Sequence, residues 1–422
     1  MTGSFTEPPY AISAVPAPAT GRLTQARTAD FILVGAGYGG LLSALHLAER
    51  GARVIVLEAA GIGHGGSGRN HGQCIPIYGY LDPDTLPAKG FDLLLNSGAL
   101  VFDMIRDRGL NCEAAQNGTL MAAYNPRTLR TTRAAQAKYA RFGKASAYLG
   151  QDEITELTGT RLSSGGWVHP EGGHLNPLAY SRELARIALA AGVEIYTDSP
   201  MISYRRDNGT WILRTPEGEA RAATVGLTTE AYSTDALPRK LTRGFFLLEG
   251  YAIASRPLTP EQRTAVMPTG MNFGDTHRDP MFFRIDAQGR IISGGLREPR
   301  RGTDFGYTAS FMTRRLSRFF PVLDGLEWDY MWTGTISMAL DQIPSIQPLD
   351  DGLWALSGWS GRGVPTSAAL SQCFARTLED PRAGLDYWPQ RQPPRVLARA
   401  LLGQLVQHVR GPFNQVRDRI GL

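Results

Sequence analysis

One short stretch limits the possible folds of this chain more than any other. After Asp30, Phe31–Val34 is an unbroken apolar run, as expected of a parallel strand buried on both faces. It leads into Gly35-Ala36-Gly37-Tyr38-Gly39-Gly40 and then into LLSALHLAER, where Leu41, Leu45 and Ala48 recur at helical spacing. Gly51 suits the helix end, and Arg53–Leu57 is a second β-type run that closes on Glu58. The order strand, G-x-G-x-x-G, helix, strand, acid predicts a dinucleotide-binding unit. Gly35 permits the tight turn, Gly37 lets the backbone approach a pyrophosphate, and Gly40 lets the helix pack on the sheet. The helix N-terminus offers unpaired N–H groups to phosphate, and Glu58 is placed for ribose hydroxyls.

The rest of the chain is long enough to build on such a unit. Its 422 residues suggest two or three domains. With 42% hydrophobic and 20% charged residues, it is neither disordered overall, nor collagen, nor coiled coil. The net charge of +5 comes with no Lys/Arg run or nucleic-acid motif, so no nucleic-acid partner is expected. No stretch approaches the length of a membrane span. Cys74, Cys112 and Cys373 show no metal spacing, and no metal site is expected. Free thiols fit a reducing compartment, so a cytoplasmic location is expected. Residues 1–27, rich in Pro, Ala and Thr, read as a mobile tail.

After Glu58 the chain is too glycine-rich and polar for a helix, where a nicotinamide-type domain would enter its next βα unit. A loop of small residues suits a cofactor that extends beyond its adenosine half. Within it, Gly66-Ser67-Gly68-Arg69-Asn70-His71-Gly72-Gln73 resembles the flavin-contacting loop of the D-amino-acid oxidase/glycine oxidase superfamily. It looks most like the branch with γ-glutamylputrescine oxidases and sarcosine-oxidase-like enzymes. His71 stands where that branch has glycine, and either reaches the flavin or fills space.

Further segments carry the resemblance across residues 30–380. Thr224–Thr229 running into Glu230-Ala231-Tyr232-Ser233 is similar to the strand and turn that close on the FAD diphosphate, with Glu230 in place of the usual Asn. A carboxylate beside phosphate is unfavourable, so Glu230 is expected to point elsewhere. FFRIDAQGRIISGG resembles a hairpin of the substrate domain, and Trp332, Asp341 and Pro344 match a Trp…Asp…Pro pattern. Gly358-Trp359-Ser360-Gly361-Arg362-Gly363-Val364 resembles a second flavin turn, with Arg362 in place of the usual His. No Cys stands in the Trp332 region, where some members attach the flavin, so FAD is expected to be noncovalent.

Other local signals are read from the residues alone. Asn176 and Pro177 start a helix that Gly192 ends, and Asp207-Asn208-Gly209 is a hairpin turn. Capping is the expected role of His174 and Asn176. Leu397, Leu401, Leu405 and His408 share a stripe on a basic C-terminal helix expected to pack on the substrate domain or a partner.

The resemblance implies an α/β fold. A Rossmann-type FAD domain (28–80, 160–235 and 330–385) is interleaved with an antiparallel-sheet substrate domain (81–159 and 236–329), and a helical tail covers 386–422. Cofactor contacts are expected from Gly35, Gly37, Tyr38, Gly39, Gly40, Glu58, Ala59, Gly66, Ser67, Arg69, Asn70, His71, Gly72, Gln73, Thr229, Gly358, Gly361, Arg362, Gly363 and Val364. Substrate contacts are expected from Arg284, Tyr251, Trp332 and Trp359, and participation in the chemistry from Arg362, His71 and Arg284. Arg284 is a charge among large apolar neighbours, read either as a carboxylate anchor or as part of a structural ion pair or a solvated strand face. The implied reaction is oxidation of a C–N bond in an amine or amino acid, with O2 or another electron acceptor. Oxidation of a 2-hydroxy acid or other alcohol is the alternative. A homo-oligomer is possible.

Overall fold

A computed structural model describes residues 7–298, 301–410 and 413–414. The apolar runs form the centre of a six-stranded sheet, in the order 345–350, 353–357, 224–227, 31–34, 54–57, 194–196. All pairs are parallel except the 345–350/353–357 hairpin. Both faces are covered, which explains why these strands do not alternate with polar residues. Leu33 and Val56 face a core with Leu41 and Leu45 of helix Tyr38–Ala48, Leu184 of helix Pro177–Ala190 and Phe374 of helix Gly363–Glu379. Ile32, Val34, Ile55 and Leu57 face Trp211, Leu213 and Ala220 of a second, four-stranded sheet. That sheet contains the expected hairpin, with Asn208 and Gly209 at φ +45° and +83°.

A seven-stranded sheet carries the other half of the molecule, in the order 328–339, 245–257, 290–296, 282–285, 272–275, 119–123, 165–169. Phe273, Phe283 and Met331 pack on one face against Met312 and Leu316 of helix Phe305–Phe319. The opposite face, with Arg284, Ala252 and Trp332, looks toward the Gly66–Gln73 loop.

Four expectations need correction. First, residues 7–28 are docked at a few points, while residues 1–6 lie outside the described residues. Pro9–Ile12 is a 3-10 turn with Tyr10 and Pro9 buried, Leu23 is buried, and Ala26–Thr28 pairs with Glu219–Arg221. A few well-placed apolar groups dock a segment whose average composition suggests disorder. Second, Gly66–Arg69 forms a single helical turn. The Asn70 side-chain amide donates to the carbonyls of Gly66 (3.1 Å) and Ser67 (2.9 Å), so a local cap offsets poor helix propensity. Third, Trp328–Ala339 and Gly165–His169, assigned wholly or mostly to the FAD segments, are strands of the seven-stranded sheet. The long ladder between Phe245–Pro257 and Trp328–Ala339 outweighs the boundary suggested by motif spacing. Fourth, the C-terminal helix Arg399–Leu405 packs on the seven-stranded sheet, but through the face beside the expected one. Leu402 and Val406 join Phe246, Leu248 and Val396, whereas Leu397, Leu401 and Leu405 are exposed. Gly403 sets this orientation, because a Cβ there would lie 2.5 Å from the Leu247 carbonyl. Residues 411–412 and 415–422 of this tail lie outside the described residues.

Among the described residues no helix is long and apolar enough to cross a membrane.

Candidate active site and cofactor groove

The groove starts at the carboxyl end of strand 31–34, in the middle of the six-stranded sheet. Helix Tyr38–Ala48 has no side-chain cap and no acid in its first turn, so its N–H groups and dipole are open to an anion. Gly40 packs so tightly that a Cβ would lie 1.9 Å from the Gly35 carbonyl. A Cβ on Gly37 would lie 2.9 Å from the Ser67 hydroxyl, which itself accepts from the Tyr38 N–H (3.1 Å). Glu58 accepts from the N–H groups of Ala36 (2.8 Å) and Ala60 (3.0 Å), tying together the two loops after strands 31–34 and 54–57. This cradle fits a diphosphate: it has unpaired donors, a positive helix end and space that any side chain on Gly37 would fill.

The Gly66–Gln73 loop joins this groove to the seven-stranded sheet. Asn70 organises it, accepting from the Gly72 N–H (2.7 Å) besides capping the turn. Four side chains stitch the loop to the sheet. Arg69 donates to the Thr333 carbonyl (3.2 Å) and Gln73 to that of Phe283 (3.2 Å). Trp332 donates to the Arg69 carbonyl (2.8 Å), and Arg284 to that of His71 (2.5 Å). Gly72, at φ +73°, sits directly under Arg284.

Arg284 is only 3% exposed. It lies beside Asp286, whose carboxylate is already engaged by the backbone N–H groups of Gln288 and Arg290. His71 is half-buried with its Nε2 sealed from solvent, and its ring meets Phe282 edge-on at 4.8 Å. Burial, with a smaller contribution from the Arg284 charge, pushes its pKa down to about 4, so the imidazole is neutral at pH 7. Its Nε2 is buried next to the Tyr251 carbonyl.

The second flavin-type turn lies on the other side of the groove. Gly358, Ser360 and Gly361 all have left-handed φ values (+93°, +47° and +82°). Glu230, itself at φ +51°, buries its carboxylate under this turn. Its Oε1 accepts from the N–H groups of Gly358 (2.8 Å) and Trp359 (2.9 Å) and from the Ser337 hydroxyl (2.6 Å). Burial raises its pKa against the pull of these donors. The carboxylate is thus directed into the turn, and its left-handed backbone, a conformation Asn tolerates well, is held by these bonds. Helix Gly363–Glu379 starts after Arg362 without a side-chain cap, a second open helix N-terminus. Arg362 is half-buried near Tyr80 and Tyr139, and Val364 is buried. The Thr229 hydroxyl pairs with that of Ser233 (2.8 Å).

The structure therefore brings together Arg284, His71, Trp332 and the Gly66–Gln73 loop, but it separates two residues expected with them. Tyr251 pairs in register with Gly295 and Thr333, and its side chain joins the Phe283 core on the far face. Only its carbonyl lies near His71. A shift of one position along a strand reverses the face, which spacing alone did not resolve. Trp359 lies over Gly39, where a Cβ would meet its ring at 3.0 Å, and so flanks the cofactor groove. His174 and Asn176 do structural work, Asn176 capping its helix through the Ala179 N–H (3.1 Å).

Two residues at the site were not anticipated. Tyr10 packs against Trp332 and Arg284. Tyr232 lies over Gly65 and Gly66, and its hydroxyl accepts from the Thr335 N–H (3.3 Å). Tyr10 carries no motif or periodicity. Tyr232 stands in a quoted motif but at a position given no role.

Comparison with known proteins agrees with this architecture. Residues 30–377 match the family model of FAD dependent oxidoreductases termed DAO. The chain is 28% identical to the gamma-glutamylputrescine oxidoreductase of Escherichia coli over 387 residues, 87% of this chain and 89% of that one. It is 26% identical to the probable oxidoreductase OrdL of Haemophilus influenzae, covering 94% of each. Among solved structures, glycine oxidase from Geobacillus kaustophilus superposes with a TM-score of 0.69 at 18% identity, covering 88% of this chain and 97% of that one. L-amino acid deaminase from Proteus vulgaris superposes with a TM-score of 0.71 at 19% identity, covering 91% and 100%. A glycine-cradled groove, a flavin-type loop sewn to an antiparallel sheet and a family match over most of the chain converge: this protein belongs to the DAO family of FAD-dependent oxidoreductases.

Proposed function

We propose that this enzyme oxidises the C–N bond of an amine or amino acid that carries an acidic group, and that Arg284 holds that group. The observation behind the reading is a buried guanidinium beside the flavin-type loop, on the sheet face that looks toward it. Its planar fork suits two parallel hydrogen bonds to a carboxylate. Gamma-glutamylputrescine oxidoreductase, glycine oxidase and L-amino acid deaminase are named for substrates with an amino group, which supports the substrate class.

Bound FAD would supply the two-electron acceptor for the hydride that leaves the carbon beside nitrogen. Gly37, Gly39, Ser67 and the first turn of helix Tyr38–Ala48 would hold its diphosphate, and Trp359 would flank it. Arg362 and the start of helix Gly363–Glu379 place positive charge where a developing anion is stabilised. Trp332 and Phe282 supply apolar walls that exclude water. Neutral His71 adds no positive charge against a substrate amine. No protein base is needed, since the apolar surroundings favour the uncharged amine. The imine product leaves the site to be hydrolysed, and the electrons pass to O2 or another acceptor. The three cysteines are free and buried, in keeping with a cytoplasmic location.

The test is anaerobic bleaching of the purified yellow protein by a panel of amines, amino acids and 2-hydroxy acids. Bleaching by amino compounds is expected. Bleaching by hydroxy acids alone refutes the proposal and favours alcohol oxidation.

A further inference from the structure

We infer that Tyr10 is a specificity-determining residue of the substrate site: it fixes the Arg284 guanidinium for an acidic group. The inference rests on Arg284 being the anchor. Tyr10 precedes the first strand of the central sheet by some twenty residues and lies outside the matched residues 30–377, yet it is only 3% exposed.

Its contacts reach three separate parts of the protein. Its hydroxyl donates to the Asn70 carbonyl of the flavin-type loop (2.7 Å). Its ring meets Trp332 edge-on, with centroids 5.4 Å apart at 78°. The Arg284 guanidinium lies 5.9 Å from its ring centroid. The backbone is anchored separately. Asn176 donates to the Tyr10 carbonyl (3.1 Å) and the Ser13 hydroxyl (3.3 Å), and Arg182 donates to the Val15 carbonyl (2.8 Å).

A structural filler needs only apolar contact. Tyr10 also supplies a π face to a cation and a directed hydrogen bond to the loop that Arg284 itself grips. Arg284 donates through Nε to the His71 carbonyl, so Tyr10 and the loop hold the guanidinium from two directions. Burial keeps the phenol protonated, so it cannot act as a counter-anion, and the positive charge stays available to a ligand.

The test uses the holoenzyme and the best carboxylate-bearing substrate from the bleaching panel, paired with its methyl ester. Tyr10→Leu should lower kcat/KM for the acid roughly 10–100-fold, mainly through KM, because a misplaced anchor loses most of its oriented bonds. The ester should change less than about 3-fold, and FAD content should be unchanged. Tyr10→Phe keeps the ring and should retain most of the preference for the acid; Tyr10→Met, which lacks the ring, takes the place of Tyr10→Leu if that variant fails to fold. Equal losses for acid and ester in the variant that lacks the ring overturn the inference. Arg284→Met run in parallel separates the two readings. If it abolishes the preference for the acid while both Tyr10 variants keep it, the anchor stands and Tyr10 is only a filler. If it leaves the preference intact, or if no carboxylate compound is preferred over its ester, the anchor reading fails and this inference falls with it.

Discussion

Glu230 offers a test that needs no substrate. Its Oε1 accepts three hydrogen bonds, two from the backbone of a turn with three left-handed residues. Glu230→Ala leaves the Gly358 and Trp359 N–H groups without their partner, at about 1–3 kcal/mol for each buried donor. The net loss should be about 2–5 kcal/mol. A chain of this length unfolds with an entropy of about 0.9 kcal/mol/K, so the melting temperature should fall by roughly 2–5 °C. Glu230→Gln keeps an accepting oxygen and removes a buried charge, but it places an NH2 where Oε2 has no partner, so its net effect should be within about 1 kcal/mol. The pH dependence has a definite sign. Burial raises the folded-state pKa above the ordinary 4.5, so the folded protein binds the proton more tightly than the unfolded chain does. This contribution is complete below that ordinary value and is lost as pH rises through the folded-state value. Glu230→Gln should therefore remove part of the stability decline above pH 4.5. Thermal melts and FAD release, followed across pH for the three proteins, check this. If Glu230→Ala melts within 1 °C of the parent and retains FAD as well, the carboxylate does not organise the turn.

Other perturbations probe the site. Arg284→Met should cost roughly 2–5 kcal/mol in kcat/KM on an acidic substrate with the flavin spectrum intact, and Arg284→Lys should restore only part of it. Arg362→Ala should lower the flavin reduction potential and slow reduction with FAD still bound; an unchanged potential removes Arg362 from the flavin. Acid precipitation should release the flavin into solution, and flavin left on the pellet would contradict noncovalent binding. Gly40→Val should give apo-protein, because its Cβ would overlap the Gly35 carbonyl, and a normal FAD content refutes the cradle as drawn.

The sequence by itself determined the features that depend on neighbours along the chain. The apolar strand, glycine turn, helix and acid at residues 31–58 need only local sterics and a single crossover, and they form as read. The same holds for the helix that starts at Asn176 and Pro177 and for the Asn208-Gly209 hairpin, where side-chain caps and positive φ values act within a few residues. Tertiary structure decided what depends on register and on partners far away in the chain. Tyr251 is a neighbour of Trp332 across the ladder, yet one position along the strand places it on the opposite face. Glu230 had no legible role until the turn at residue 358 closed over it. Tyr10 sits in a segment of low-order composition, and only Asn70, Asn176, Arg284 and Trp332, spread from position 70 to position 332, give it a place. A lone aromatic leaves no pattern in a sequence, because its burial energy is realised only when remote elements meet around it.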